Sequence, residues 1–115
     1  MKYVSLKLMT VSLFALTTIA ANAGTASWYG GSFHGKRTAS GQVFNQNALT
    51  AASNTHALGS MLKVTNAANG KSVIVKVTDT GGFSKYGRTL DLSKGAFSKI
   101  ANPSKGVIKV NVVSL

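Results

Sequence analysis

Met61-Leu62-Lys63-Val64-Thr65-Asn66-Ala67-Ala68-Asn69-Gly70-Lys71-Ser72-Val73-Ile74-Val75-Lys76-Val77 reads as a β-hairpin. Leu62 and Val64 alternate with polar neighbours, so they share one face of a first strand. Val73, Val75 and Val77 share one face of the second, with Ser72 and Lys76 opposite. The two runs flank Asn69-Gly70, a dipeptide that tolerates the positive φ a tight turn demands. Period-two patterning with a turn between its halves commits this part of the chain to antiparallel sheet.

Outward from the hairpin the pattern repeats more faintly. Thr25–Tyr29 is a candidate first strand, broken by Gly30-Gly31, and Ser32–Gly41 is polar and interrupted by Gly, so it reads as a long loop. Leu49–Ala52 is a short strand candidate, and Asp79-Thr80-Gly81-Gly82 a second tight turn. Val107–Val113 closes the set, with Ile108, Val110 and Val112 on one side. Ser93–Ala101 is the single helix candidate: Ser93 can cap it, Ala96, Phe97 and Ile100 sit at helical spacing, and Asn102-Pro103 ends it. Five or six short strands and one helix favour a small β-barrel over a sandwich, which needs about seven strands.

The N-terminus has a different character. Lys2 and Lys7 precede an apolar run from Leu8 to Ala21, shorter than the roughly 20 residues a spanning helix needs. Ala21-Asn22-Ala23 then forms a small-x-small site before Gly24. Residues 1–23 are therefore expected to be a secretory signal peptide and residues 24–115 the domain, with no membrane anchor after cleavage. Of 13 Lys+Arg and 2 Asp+Glu, loss of Lys2 and Lys7 would leave a charge of about +9. Such a charge suits an anionic partner. An export signal argues against nucleic acid and for anionic wall polysaccharide, in the periplasm or outside the cell.

Composition narrows the chemistry further. The 115 residues contain no Cys and no Glu. Disulfides, thiolate nucleophiles, Cys-based zinc sites and lipid attachment to Cys are excluded, so the chain is not a lipoprotein. The acid–base groups are Asp79, Asp91, His34 and His56. A metal site would consume nearly all of them, so neither metal nor cofactor is expected. A monomer is expected.

Several segments go beyond this. Ala26-Ser27-Trp28-Tyr29-Gly30, Phe33–Gly41, Ala48–Ala52, Val64-Thr65-Asn66, Asn69–Val73, Asp79 with Gly81 and Phe83, and Gly87-Arg88 followed by Asp91-Leu92-Ser93 stand in an order that resembles the rare lipoprotein A family of bacterial wall proteins. The resemblance implies a six-stranded double-psi β-barrel, related to expansins and barwin-like proteins. It implies an endolytic lytic transglycosylase acting on peptidoglycan glycan strands that lack stem peptides. It also implies that Gln42 and Ser53 stand where the family has an active-site Glu and His, while the family's Asp is kept as Asp79. A non-catalytic, expansin-like wall-binding or wall-loosening protein, or a secreted effector on the same barrel, is the alternative that these two replacements leave open.

A lytic transglycosylase needs one carboxylic acid that protonates the glycosidic oxygen and then accepts the proton of the muramic acid C6 hydroxyl. Asp79, at the end of an apolar strand, is the candidate general acid and base. Asp91 is a possible second carboxylate, or else a brace for the start of the Ser93 helix. Gln42, Ser53, Tyr29, His34 and Tyr86 are candidate glycan contacts, with His34 equally suited to brace its loop. Trp28 is expected to be mostly buried, and Tyr29 or Tyr86 exposed. His56 lies three residues beyond Ser53, on the opposite face of an extended segment unless a turn intervenes.

Overall fold

The computed structural model describes residues 22–81 and 89–115. Six strands carry the fold: β1 Asn22–Tyr29, β2 Thr50–Ala52, β3 Met61–Asn66, β4 Ser72–Asp79, β5 Leu90–Ser93 and β6 Val107–Ser114. One helix, α1 Lys94–Ile100, follows β5 directly, and Gly31–Phe33 and Pro103–Lys105 are single 3₁₀ turns. The strands close into a barrel in the order β1-β5-β2-β4-β3-β6. β1 with β5 and β2 with β4 are parallel, and the other four pairings are antiparallel. Closure leaves no free sheet edge.

The hairpin folds as its alternation requires. β3 and β4 pair from Met61↔Lys76 to Thr65↔Ser72, which turns Leu62, Val64, Val73, Val75 and Val77 into the barrel. Gly70 adopts φ 76°, a conformation a side chain would strain. Asn66 and Asn69 pin this turn to the helix: both Nδ2 groups donate to Ile100 O, at 2.8 and 2.9 Å. Val110 and Val112 of β6 and Leu90 and Leu92 of β5 complete the wall. Ala96, Phe97 and Ile100 are fully buried and bring the helix into the same core. Each large apolar side chain so buried contributes roughly 1.5–3 kcal/mol.

One feature departs from the sequence reading. β5 is a strand where only a helix start was expected. Asp91 therefore lies within a ladder, paired with Ser27 and Ala52, and does not cap the helix. Ser93 is the cap: its Oγ accepts from Ala96 N at 3.1 Å and donates to Ala48 O. Trp28 packs against the core with most of its surface covered, as expected. Its Nε1 donates to Pro103 O at 2.9 Å, and Lys94 Nζ lies 5.7 Å from the ring centroid.

Candidate active site

The ladders bring both carboxylates to one rim. Ser27 faces Asp91 across β1 and β5, and Ala52 faces Asp91 across β2 and β5. Ala52 also faces Asp79 across β2 and β4, because the register slips by one residue: Ala51 pairs with Val77, and Ala52 with Asp79. This bulge at Thr78 sets the direction of Asp79. By strict alternation Asp79 would follow Val73, Val75 and Val77 into the barrel; with the bulge it turns outward beside Ala52. Directly paired residues point to the same side of a sheet. Ser27, Asp91, Ala52 and Asp79 therefore form a row, and the two aspartate Cα atoms stand about two strand spacings, roughly 10 Å, apart.

The loop between β1 and β2 lies over this rim. Arg37 and Val43 bridge it into a small hairpin. Ser40 N donates to Thr78 O at 3.0 Å, and Ala39 N to Asp79 Oδ1 at 3.0 Å. The same Oδ1 accepts from Thr80 N at 2.9 Å. Two backbone donors thus fix one oxygen of Asp79, while Oδ2 has no hydrogen-bond partner among the described residues. Asp91 is held by Ser27, whose Oγ donates to Oδ1 at 2.8 Å. Gln42 is exposed and lines a hollow of about 380 Å³ with Ala39, Ser40, Leu58, Gly59, Lys76 and Val77, next to Asp79.

Ser53 is fully buried, so the direct glycan contact expected of it has no surface to work through. It builds a turn instead. Ser53 N donates to Asp79 O at 2.9 Å, and its Oγ accepts from His56 N at 3.1 Å and from Thr55 N at 3.2 Å. The turn that extended geometry lacks is present, and it carries His56 back to Ser53, with Nδ1 3.2 Å from Oγ. Sequence reasoning allowed for such a turn but assigned His56 no role; its signal was the Ser-Asn-Thr run, whose short polar side chains favour local backbone bonding. Asn54 adds a clasp, exchanging hydrogen bonds with the Gly81 backbone beyond Asp79.

His34 braces its loop: Nδ1 accepts from Gln46 N at 3.1 Å, which leaves an exposed ring. Tyr29 is half-buried, stacked on Phe44 (4.5 Å, 15°) and edge-on to Phe33 (5.8 Å, 75°). Burial, reinforced by the charges of Asp79 and then Asp91, pushes its phenol well above the usual range, so it stays protonated. Phe33 is 54% exposed, so this cluster presents one aromatic face to solvent. Tyr86, Phe83 and Gly82 lie outside the described residues. Among the described residues no three His, Asp or Glu side chains gather as metal ligands. A larger hollow, about 640 Å³, sits at the opposite end, beside Asn69, Ala101, Lys105 and Lys109. It contains no carboxylate and supports no acid–base chemistry.

Fold and rim define a class: a small double-psi β-barrel with two partly exposed carboxylates on one rim. Comparison with known proteins makes this specific. Residues 21–112 match the lytic transglycolase family, and the chain belongs to it. The chain is 53% identical over 93 residues to a Synechocystis protein named a probable endolytic peptidoglycan transglycosylase RlpA, covering 81% of this chain and 29% of that one. It is 49% identical over 89 residues to the endolytic peptidoglycan transglycosylase RlpA of Campylobacter jejuni, covering 77% and 32%. The chain thus spans roughly a third of the length of the curated relatives it matches. Among solved structures, a Clavibacter michiganensis expansin mutant in complex with cellohexaose superposes with a TM-score of 0.65 at 22% identity, over 84% of this chain and 50% of that one. The Streptomyces papain inhibitor superposes with a TM-score of 0.63 at 24% identity, over 82% and 94%. These two likenesses concern the fold.

Proposed function

We propose that this domain is an exported lytic transglycosylase that cleaves peptidoglycan glycan strands lacking stem peptides. The observation that carries the reading is Asp79: a bulge turns it outward at the barrel rim, and two backbone donors fix Oδ1 while Oδ2 is left to handle a proton. Family membership and relatives named for peptidoglycan transglycosylase activity supply the substrate class.

The step needs one group. Asp79 in its acid form gives its Oδ2 proton to the glycosidic oxygen as the bond to muramic acid C1 breaks. The resulting carboxylate takes the proton of the C6 hydroxyl as that oxygen bonds to C1, which closes a 1,6-anhydro ring and restores the acid. Asp91, across Ala52, supplies negative charge beside the developing oxocarbenium centre. Gln42 can hydrogen-bond sugar hydroxyl or N-acetyl groups from its hollow, and Phe33 can stack on a ring.

Two carboxylates on one rim are also what an inverting hydrolase uses, with the second activating water. The products separate the two. Incubation of the purified protein with glycan stripped of stem peptides, followed by mass spectrometry, should return 1,6-anhydromuramic ends. Ordinary reducing ends would replace the transglycosylase reading with hydrolysis. Binding without cleavage would leave the expansin-like reading, which the fold shared with a cellohexaose-bound expansin favours.

A further inference from the structure

We propose that Lys76 sets the substrate preference of this site, by pairing with the free carboxylate that a muramic acid carries on its C3 lactyl arm once the stem peptide is gone. The inference rests on the transglycosylase reading above and names the group on the glycan that the site reads. On a strand that keeps its stem peptides the same carboxyl is tied up as an uncharged amide. The hollow beside Asp79 is fastened to β4 from both sides. On one side Ser40 N donates to Thr78 O and Ala39 N to Asp79 Oδ1, each at 3.0 Å. On the other, Gly59 N donates to Val77 O at 2.7 Å, and Val77 N to Ser60 O at 2.8 Å. Lys76 and Val77 line the hollow between these two walls. Val75 and Val77 point into the barrel, so Lys76 points out, and the bulge at Thr78 turns Asp79 to the same side. Three residues separate the two, at most roughly 11 Å along the strand.

The chemistry of the hollow matches that arm. Lys76 is the one cation among the described residues that line it. Its ammonium has no hydrogen-bond or ion-pair partner among the described residues. Arg37, in the loop above, is tied to its own hairpin, with Nη1 donating to Gly41 O at 2.6 Å. Leu58 is 45% exposed and sets apolar surface in the same hollow. A lactyl arm bears a methyl group and a carboxylate on one carbon, so it offers an apolar and an anionic group side by side. The arm leaves the ring at C3, two carbons from the C1 whose glycosidic oxygen Asp79 addresses. One ring and its arm therefore lead from Asp79 toward Lys76. Asp91 makes the rim negative and repels an anionic strand, and a cation in the hollow offsets that repulsion.

The test uses glycan fragments without stem peptides in two forms, one with free lactyl carboxylates and one with each converted to its methylamide. Calorimetry on the purified protein should show the free form bound about fivefold more tightly, by a margin that shrinks as salt rises. Lys76→Gln should abolish the margin by weakening the free form alone, and Lys76→Arg should keep it. Lys63→Gln removes an exposed lysine of β3 outside the hollow and should also keep it, which separates a specific pairing from general positive charge. In cleavage, Lys76→Gln should raise KM on the free form about fivefold with kcat unchanged. Equal binding of the two forms by wild type, or a margin that survives Lys76→Gln, overturns the proposal. Binding needs no turnover, so the two readings fail separately. If wild type cleaves nothing while Lys76→Gln still abolishes the margin, the pairing stands and the transglycosylase reading falls. If wild type cleaves both forms with one KM, the pairing falls and the transglycosylase reading stands.

Discussion

Replacing Asp79 in two ways separates its chemistry from its structural work. In Asp79→Asn the amide oxygen can still accept from Ala39 N and Thr80 N, so both 3.0 and 2.9 Å contacts survive and the 38–42 loop keeps its anchor. What is lost is the proton on the other atom. General acid–base catalysis is typically worth 10²–10⁴ in rate, about 3–5 kcal/mol of barrier. Gln42 cannot take over the proton, so the upper part of that range is expected, in kcat with KM unchanged. Asp79→Ala loses the proton and both hydrogen bonds. It should be equally inactive and, in addition, about 1–2 kcal/mol less stable. The assay is release of 1,6-anhydromuramic ends from glycan without stem peptides, beside urea unfolding of each variant. An asparagine variant that cleaves at the wild-type rate refutes the assignment and leaves Asp91 as the carboxylate to test. An asparagine variant as unstable as the alanine one refutes the claim that geometry, not charge, holds the loop.

Ser93→Ala removes the helix cap and orphans the part-buried Ala48 carbonyl, so the urea midpoint should fall by the equivalent of about 1–3 kcal/mol; an unchanged midpoint contradicts that accounting. Gly95→Ala would place a Cβ 2.7 Å from Asn47 O, and backbone cannot yield as a side chain does. A loss of about 1–3 kcal/mol is expected, and a stabilised variant would show that the loop moves freely. The raised phenol of Tyr29 means that the native state holds its proton where the unfolded chain has begun to release it. Its contribution to stability is therefore complete below the ordinary phenol value of about 10 and is lost as pH climbs above it. Thermal melts should show this alkaline loss reduced in Tyr29→Phe, and parallel curves for the two proteins would contradict it. Gln42→Glu puts a third carboxylate in the hollow beside Asp79, at an exposed position; cleavage should rise without change in stability, and equal activity would show that the position does not reach the substrate.

The barrel was legible where one face of a strand is buried and the other is wet. Leu62, Val64, Val73, Val75 and Val77 announce β3 and β4, and Ser93, Ala96, Phe97 and Ile100 announce the helix. β5 was not legible: Leu90-Asp91-Leu92-Ser93 is too short for a period to register, and it is a strand because β1 and β2 pair with it from either side. Asp79 and Asp91 could be picked out as candidates because the chain has no other carboxylate side chains. Their neighbourhood could not. It depends on two ladders meeting at Ala52 and on one extra residue in β4. A bulge at Thr78 leaves no mark in the alternation that precedes it, yet it decides whether Asp79 faces the core or the rim. The turn at Ser53 is likewise a product of local hydroxyl bonding that a strand pattern does not encode.

The placement of these two aspartates bears on function independently of the relatives. With 13 Lys+Arg and two acids, folding alone could set each carboxylate among cations far from the other. Instead they flank one alanine, on the two strands either side of it at the same rim. Like charges roughly 10 Å apart repel by about 0.4 kcal/mol in water and about 1.7 kcal/mol at the effective dielectric of a protein surface. A tightly packed aromatic ring beside them, with its hydroxyl buried, adds a further cost. A structure that only needed a stable barrel would gain by separating them. Their proximity makes sense when both act on one bound molecule, and the charge that builds at a sugar C1 as its glycosidic bond breaks is positive. Under the proposed transglycosylase reading, the Asp91 carboxylate and the Asp79 carboxylate formed as its proton leaves would stabilise that charge more in the transition state than in the bound ground state, which is the condition for catalysis as opposed to binding. The same rim would do little for a protein that merely held an intact neutral glycan.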